Sequence, residues 1–293
     1  MFDRSRVNHW ASFLTGVLLV LPWLEPWAPA PLPNVVPLLI SWTCIGLLMA
    51  SGQRLQARDI ARAWAVAAVM SSALGLVQYF GLADVFSPWV HVPDYLGEAR
   101  ANLRQRNQQA SLMSLGVWAL LWLVVQMQAR MGAESGASAT PLQRALLGGG
   151  RAWPSWLVGL LLVWALTLLA AGSAATASRT GAAQWLLMIA LLVVWRGTSG
   201  RLALGLAVIG LLLYALAGWM LPALLLDWTG FTTDGVFARL ASDPQSMGSR
   251  RELWANVLYL IAQKPWTGWG WGELDYAHFI TQYPGERFCE IGR

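Results

Sequence analysis

Charged residues are scarce in this chain: they make up 12% of its 293 residues, whereas hydrophobic residues make up 56%. An average soluble domain has about 25% charged residues. This shortage excludes an ordinary soluble domain and predicts an integral membrane protein. We therefore expect an all-α fold, a polytopic membrane bundle of about seven helices, followed by a C-terminal segment that contains an amphipathic helix.

Cysteine is also scarce, with only Cys44 and Cys289. Cys44 lies inside a predicted membrane span and Cys289 lies near the end of the chain, so the pair predicts neither a disulfide framework nor a metal site. The carboxylates and the single histidine near the C-terminus lack the spacing of metal ligands. We predict no metal and no other cofactor.

Seven apolar runs are candidate membrane-spanning helices, because about 20 residues with a rise of about 1.5 Å each cross the hydrocarbon core. They cover residues 8–25, 35–50, 63–80, 109–127, 155–173, 181–195 and 202–226. The second and sixth runs are short, which favours helices with little tilt or broken helices that line a cavity. Residues 1–226 are therefore predicted to form the transmembrane bundle and residues 227–293 a segment outside it.

Basic residues predict the orientation of the bundle. Arg4 and Arg6 precede the first run, while the loop after that run has no basic residue, so the positive-inside rule places the N-terminus in the cytoplasm. Ten of the twenty basic residues fall on this side. The other ten fall on the outer side, against the rule, and need another reason to be there. The formal charge of +5 is thus first an orientation signal, and we predict no nucleic-acid partner.

Three of the outer arginines are predicted to lie in the first turn of a helix. Arg179 follows Ser178, a candidate N-cap, and Arg250 and Arg251 stand between a serine and a glutamate that have capping-box spacing. Cations are unfavourable at a helix N-terminus unless an anion lies between them, and guanidinium groups suit phosphate. The alternatives are solvated or carboxylate-bonded arginines and, for Arg179, snorkelling to lipid headgroups.

The residues after Arg251 predict the amphipathic helix, since apolar side chains recur there at helical spacing. They are Leu253, Trp254, Val257, Leu258 and Ile261. We expect this apolar face to pack on the membrane surface or on other outer loops.

A polar string leads directly into the fourth run. It consists of Arg104, Gln105, Arg106, Asn107 and Gln108. Amides and guanidinium groups at the mouth of a bundle can bind sugar hydroxyls or phosphate, so these residues are predicted to bind substrate. A polar collar that faces lipid headgroups is the alternative.

The glycine-rich string W-T-G-W-G-W-G near the C-terminus lacks the strand and helix of a nucleotide-binding loop. It predicts a turn from which Trp269 and Trp271 project to one side, either packing or stacking on sugar. His278 follows this turn, and it is the only histidine of the segment and therefore its only candidate general base. A structural role is the alternative for His278.

Several strings resemble those of the bacterial PglL-type protein O-oligosaccharyltransferases, relatives of the O-antigen ligases and polymerases. The strings are A-N-L-R-Q-R-N-Q, S-R-T-G, S-R-R-E-L-W-A-N and P-W-T-G-W-G-W-G-E-L-D-Y-A-H. The resemblance implies a multi-pass glycosyltransferase of the bacterial inner membrane, with residues 227–293 in the periplasm as the start of a large catalytic loop. It also implies three partners: an oligosaccharide linked to undecaprenyl diphosphate, membrane lipid, and an acceptor protein such as a pilin.

The resemblance implies roles for individual residues as well. Arg179 and Arg250 are expected to hold the diphosphate as catalytic residues, with Arg251 as an auxiliary. Related enzymes continue after R-F-C-E-I into an asparagine-histidine motif and further spans, whereas this chain stops at I-G-R, so we expect it to be a truncated form. His278 does not align with that histidine.

Two other functions remain open from the sequence. One is an O-antigen ligase or polymerase, which would use a lipid or glycan acceptor. The other is a non-catalytic membrane protein that binds or transports the lipid-linked glycan. Transport calls for polar residues near the middle of the spans, and these are few, for example Ser71, Ser72 and Thr167.

Overall fold

The computed structural model describes residues 4–27, 35–52, 54–133, 155–241 and 245–283. Within these ranges the chain is all-α and contains no strand. It is a polytopic bundle of membrane helices, as predicted.

Seven apolar helices follow one another through the described part of the bundle. They are α1 (Arg4–Leu24), α2 (Val35–Ala50), α3 (Ala57–Tyr79), α4 (Arg106–Ala133), α5 (Ser155–Ala175), α6 (Arg179–Val194) and α7 (Arg196–Thr229). The apolar stretches of α3, α4 and α7 are long enough to cross a membrane, and those of the other four are shorter. The predicted shortness of the second and sixth helices is confirmed, since each has 16 residues.

Large apolar side chains cover the outside of this bundle. On α2, for example, Leu39 is 60% exposed, Trp42 is 69% exposed and Met49 is 78% exposed. Soluble proteins rarely expose such extensive apolar surface, whereas a bilayer solvates it. The protein is therefore a multi-pass membrane protein.

Small residues on α3 allow α4 and α5 to approach it closely. A Cβ atom added to Gly116 of α4 would lie 2.3 Å from the Cβ of Ala68, and one added to Gly172 of α5 would lie 1.9 Å from the Oγ of Ser72. The Ser72 hydroxyl also donates a hydrogen bond to the carbonyl of Leu168 at 2.5 Å. Membrane helices associate through such close contacts, because lipid removes most of the hydrophobic drive to pair.

One end of the bundle is closed by the segment of residues 80–105 between α3 and α4. The side chain of Asn102 donates to the carbonyl of Leu24 at 2.6 Å, just where α1 ends. The backbone N–H groups of Gly97 and Ala99 donate to the last residues of α3 and α5, Tyr79 and Ala175. Because α4 and α6 also begin at this end, it collects the ends of α1, α3 and α5 and the starts of α4 and α6. We call it the Glu98 end of the bundle.

Gly97 lets the segment after α7 reach the Glu98 end. Its φ is +76°, and an added Cβ would lie 2.6 Å from the Cβ of Thr233 and 2.9 Å from Leu225. The Thr233 hydroxyl donates to the Gly97 carbonyl at 3.2 Å. Only glycine fits this approach. The short helix α8 (Val236–Ala241) follows directly.

The described residues up to Leu240 form one compact unit, and those from Ala241 onward form another. The second unit contains α9 (Gln245–Gln263) and α10 (Leu274–Ile280). The capping box predicted around Arg250 is wrong, because α9 already begins at Gln245. Ser249 and Glu252 lie inside the helix, whereas the free N–H groups belong to its first four residues.

The predicted helix is confirmed as part of α9, but the side that is buried within this unit differs from the predicted apolar face. Asn256 and Leu260 are buried, whereas Trp254, Leu258 and Ile261 are exposed. Their exposure leaves the predicted docking of that face on a membrane or loop as a prediction.

The Gly172→Ala variant should destabilise the bundle by about 1–3 kcal/mol, since the new methyl overlaps Ser72 and forces α5 away from α3. The matched control is Gly159→Ala on the same helix, where an added Cβ meets nothing within 4 Å. Denaturant titration of both proteins in detergent micelles measures the difference. Equal midpoints would contradict the close packing of α3 and α5.

Candidate functional site

Glu98 gathers three arginines from different parts of the chain at its end of the bundle. Its Oε1 lies 2.8 Å from the Nε of Arg100, and its Oε2 lies 3.2 Å from the Nη1 of Arg106 and 3.2 Å from the Nη2 of Arg239. We call these four residues the Glu98 cluster. The Glu98 side chain is 10% exposed, whereas the three arginine side chains are 27–38% exposed. The carboxylate is therefore the inner member of the cluster.

Two features of the local chain place Glu98 there. The backbone hydrogen bonds of Gly97 and Ala99 to the ends of α3 and α5 hold Glu98 on both sides. Arg106 is the first residue of α4, so the N-terminus of that helix adds partial positive charge next to the arginines. A carboxylate at this point offsets the positive charge of the arginines and the partial positive charge of the helix N-terminus.

Arg179 lies at the N-terminus of α6, as predicted from Ser178. The Ser178 hydroxyl accepts a hydrogen bond from the N–H of Gly181 at 3.3 Å, which confirms the N-cap, and donates one to the Oδ1 of Asn107 at 2.7 Å. Arg179 is the first helical residue, and its exposed guanidinium donates from Nε to the carbonyl of Arg239 at 2.8 Å. The N-termini of α4 and α6 are thus adjacent.

These contacts form a closed ring. Arg179 contacts Arg239, Arg239 contacts Glu98, Glu98 contacts Arg106, and Asn107 contacts Ser178, which precedes Arg179. The ring and Arg100 together carry four guanidinium groups and one carboxylate. Two helix N-termini and several guanidinium groups in one small area can bind a phosphate or diphosphate group.

The residues of the predicted polar string lie in different surroundings in the structure. Arg106 and Asn107 belong to the ring, whereas Gln105 and Gln108 are exposed beside it. Arg104 points elsewhere: it adopts a left-handed backbone with φ of 58°, and its Nη2 donates to the carbonyl of Pro26.

Buried amides hold the segment around His91 in place behind the cluster. The Gln78 side chain donates to the carbonyls of His91 and Ala101 at 2.6 and 3.0 Å and accepts from the N–H of Arg100 at 3.1 Å. Burial, together with the charge of Arg104, lowers the pKa of His91 below its usual value. The charged form of His91 is therefore disfavoured at this end of the bundle.

The remaining predicted residues lie in the second unit. Arg250 lies in α9, and Arg251 follows it with an exposed side chain. The prediction that Arg250 and Arg251 bind phosphate with Arg179 stays a prediction. No metal-binding group of three or more acidic, histidine or cysteine side chains occurs among the described residues.

Trp269 and Trp271 differ in their surroundings, so they do not form the shared face that the sequence predicts. The indole N–H of Trp269 donates to the carbonyl of Leu260 at 2.9 Å, and the Lys264 ammonium lies 4.0 Å from its ring centroid. Trp271 is 96% exposed. Alternating glycines with positive φ, including Gly270 at 113°, turn the chain between the two rings. Of the pair, only Trp271 presents its ring freely for stacking.

His278 lies in the last turn of α10. Its Nδ1 contacts the Tyr283 hydroxyl, and its Nε2 is buried without a hydrogen-bond partner. Its role as a general base stays a prediction, and this arrangement favours the structural alternative.

The sequence analysis missed Glu98 and Arg239 as site residues. Glu98 is the only acid in the stretch G-E-A-R-A-N-L-R-Q-R, which also contains three arginines. A single acid among several basic residues was a usable signal of an ion cluster. Arg239 gave no such signal, because its proximity to Glu98 depends on the approach of Thr233 to Gly97.

The Ser178→Ala variant should lower the free energy of unfolding by about 1–2 kcal/mol, because it removes the N-cap of α6 and leaves the Asn107 amide without that partner. The control is Ser41→Ala, whose hydroxyl bonds only the carbonyl of Pro37 in its own helix. That change should cost less than about 0.5 kcal/mol. Denaturant titration in micelles checks both values, and similar losses would argue against a cap that joins α6 to α4.

Two protein families match parts of this chain. The family described as O-antigen ligase matches residues 164–288, and the family described as protein glycosylation ligase matches residues 99–124. The two matches include Arg179, Arg239, Arg106 and Asn107. The matches thus cover the end of the segment before α4, much of α4, and the chain from the middle of α5 to residue 288.

One curated relative is a general O-oligosaccharyltransferase from Acinetobacter baylyi, which is 24% identical over 228 residues. The alignment covers 73% of this chain and 33% of that relative, so the chain spans about a third of the length of the protein it matches. No solved structure matches the chain. The chain is thus similar to the O-antigen ligase family over residues 164–288, to the protein glycosylation ligase family over residues 99–124, and to this O-oligosaccharyltransferase.

Proposed function

We propose that this protein transfers an oligosaccharide from a polyprenyl diphosphate, undecaprenyl diphosphate, to a serine or threonine hydroxyl of a protein. The acceptor would be a surface protein such as a pilin. The reaction takes place at the Glu98 end of the bundle, which is the periplasmic face of the bacterial inner membrane, with the N-terminus in the cytoplasm. This activity agrees with the name of the Acinetobacter relative and with the protein glycosylation ligase match.

The observation that carries the proposal is the convergence of arginines at two adjacent helix N-termini. Arg179 begins α6, Arg106 begins α4, and the Ser178 to Asn107 hydrogen bond joins the two helices at 2.7 Å. Such a site suits a group with several phosphate oxygens, since guanidinium forks and backbone N–H groups can bind different oxygens together. A lipid-linked diphosphate presents such oxygens at the end of a membrane bundle.

The transfer forms a bond between the acceptor oxygen and the anomeric carbon and breaks the bond from that carbon to the diphosphate. The bonding electrons leave with the diphosphate, whose negative charge rises as the bond breaks, and the acceptor hydroxyl loses its proton. Arginines placed at the diphosphate bind it more strongly in the transition state than in the ground state, which accelerates the reaction.

Individual residues then take distinct roles. Arg179 is the catalytic residue that stabilises the leaving group. Arg250, with Arg251 as an auxiliary, is likewise proposed to bind the diphosphate. Gln105, Asn107 and Gln108 border the same place and are proposed to bind the glycan or the acceptor.

The interior of the bundle favours this chemistry over transport. The buried Gln109 side chain accepts from the Ser71 hydroxyl at 2.8 Å, and the Gln184 side chain bonds the hydroxyls of Ser111 and Ser114 at 2.9 Å. These interior polar groups satisfy one another within pairs or triplets. The charged groups described above lie instead at the end of the bundle, where a lipid headgroup would bind.

The Arg179→Lys variant should reduce transfer by about ten- to a hundred-fold, because lysine keeps the charge but loses the planar fork that binds two oxygens. The assay measures transfer of labelled oligosaccharide from undecaprenyl diphosphate to a pilin-like protein in reconstituted membranes. The control is Arg196→Lys, since Arg196 is also the exposed first residue of a helix but lies at the opposite end of the bundle. Equal activity of the two variants would remove Arg179 from the catalytic site.

A parallel reaction with a lipid-linked saccharide as acceptor identifies the acceptor class. The O-antigen ligase match over residues 164–288 makes this comparison necessary. Transfer to the lipid acceptor and not to the protein would replace protein glycosylation with the ligase reaction.

A further inference from the structure

Arg239 and Glu98 have no role in the chemistry described so far, although both belong to the ring of contacts around Arg179. We propose that Arg239 is a further diphosphate-binding residue and that Glu98 is a positioning residue that holds Arg239 and Arg106 toward the same ligand. This inference rests on the proposed function for the identity of the ligand, a polyprenyl diphosphate.

Arg239 is well placed for this role. Its carbonyl accepts the hydrogen bond from the Nε of Arg179 at 2.8 Å, so the backbone of one arginine orients the side chain of the other. Its own Nη2 lies 3.2 Å from Glu98, and its side chain remains 27% exposed. A guanidinium group has five N–H donors in a fixed plane, and an exposed edge can bind a phosphate oxygen while another bonds a carboxylate.

Glu98 fits the part of a positioning residue because it lies behind the arginines. Both of its oxygens contact guanidinium groups, and its side chain is 10% exposed against 38% for Arg106. Its backbone is held between Gly97 and Ala99, which bond the ends of α3 and α5. The carboxylate thus fixes Arg106 and Arg239 relative to the bundle.

Glu98 could either weaken or strengthen ligand binding, and a binding measurement distinguishes these two effects. A carboxylate that only competes with phosphate for the arginines weakens ligand binding, and its removal would tighten binding. A carboxylate that positions the arginines strengthens binding, and its removal would weaken it. The hydrogen-bonded geometry and low exposure of Glu98 favour the second effect.

The test measures the dissociation constants of undecaprenyl diphosphate and undecaprenyl monophosphate for the full chain in nanodiscs. Glu98→Gln should weaken diphosphate binding about ten-fold, because the amide cannot accept from all three arginines. Glu98→Asp keeps the carboxylate and should restore binding to within about three-fold of the original. Asp94→Asn is the matched control, since it removes an exposed acid from the same segment, and it should change binding less than two-fold.

Arg239 is tested in the same assay. Arg239→Gln should weaken diphosphate binding about ten-fold and monophosphate binding less, whereas Arg201→Gln at the opposite end of the bundle should change neither. The double variant Glu98→Gln with Arg239→Gln should lose less than the product of the two single losses, because Glu98 acts partly through Arg239.

Several results would overturn the inference. One is tighter or unchanged diphosphate binding in Glu98→Gln, and another is unchanged binding in Arg239→Gln. Equal losses of affinity for the diphosphate and the monophosphate, or single losses of affinity that multiply in the double variant, would overturn it as well. If Glu98→Gln does not yield folded protein, the Arg239 variants decide by themselves. Binding of the diphosphate by the original chain without glycan transfer would reject the proposed function alone, whereas absence of binding would reject both.

Discussion

The Glu98 carboxylate is the interaction on which the end of this bundle depends. It brings together side chains from the segment before α4, from the start of α4 and from α8, and without it like charges would meet at the N-terminus of a helix. Ion pairs whose arginine side chains are 27–38% exposed add little net stability, because water screens their charges. The cluster therefore specifies an arrangement more than it adds stability.

That arrangement needs the tight packing below it. Gly116 and Gly172 let α4 and α5 lie against α3, and the ends of α3 and α5 then accept the backbone hydrogen bonds that hold Glu98. Lipid solvates the apolar outer surface, so van der Waals contact between small residues and hydrogen bonds must provide much of the specificity. A methyl group added in the middle of the bundle would therefore change the site, because it would shift the helix ends that hold Glu98.

The proposed transfer from a diphosphate accounts for the concentration of basic groups at the Glu98 end of the bundle. Leaving-group stabilisation needs positive groups fixed before the reaction, since flexible groups must reorganise during it. Here the N-cap at Ser178, the carbonyl of Arg239 and the Glu98 carboxylate each fix part of a basic side chain or its helix. The family matches over residues 99–124 and 164–288 cover these contacts on the bundle, apart from Glu98 itself.

The sequence by itself determined the membrane class, the seven apolar helices of the described bundle and the position of Arg179 at a helix N-terminus, because hydropathy and an N-cap serine act over a few neighbouring residues. The polar string that contains Arg106 and Asn107 is likewise visible in the sequence, because it stands directly at the end of a span. The sequence placed the start of α9 wrongly, because the Ser249 and Glu252 spacing is equally compatible with a helix interior. Only the tertiary structure decided that Glu98 and Arg239 meet, 141 residues apart in the chain. That contact depends on the fit of Gly97 against Thr233, and long-range steric fit leaves no periodic pattern in a sequence.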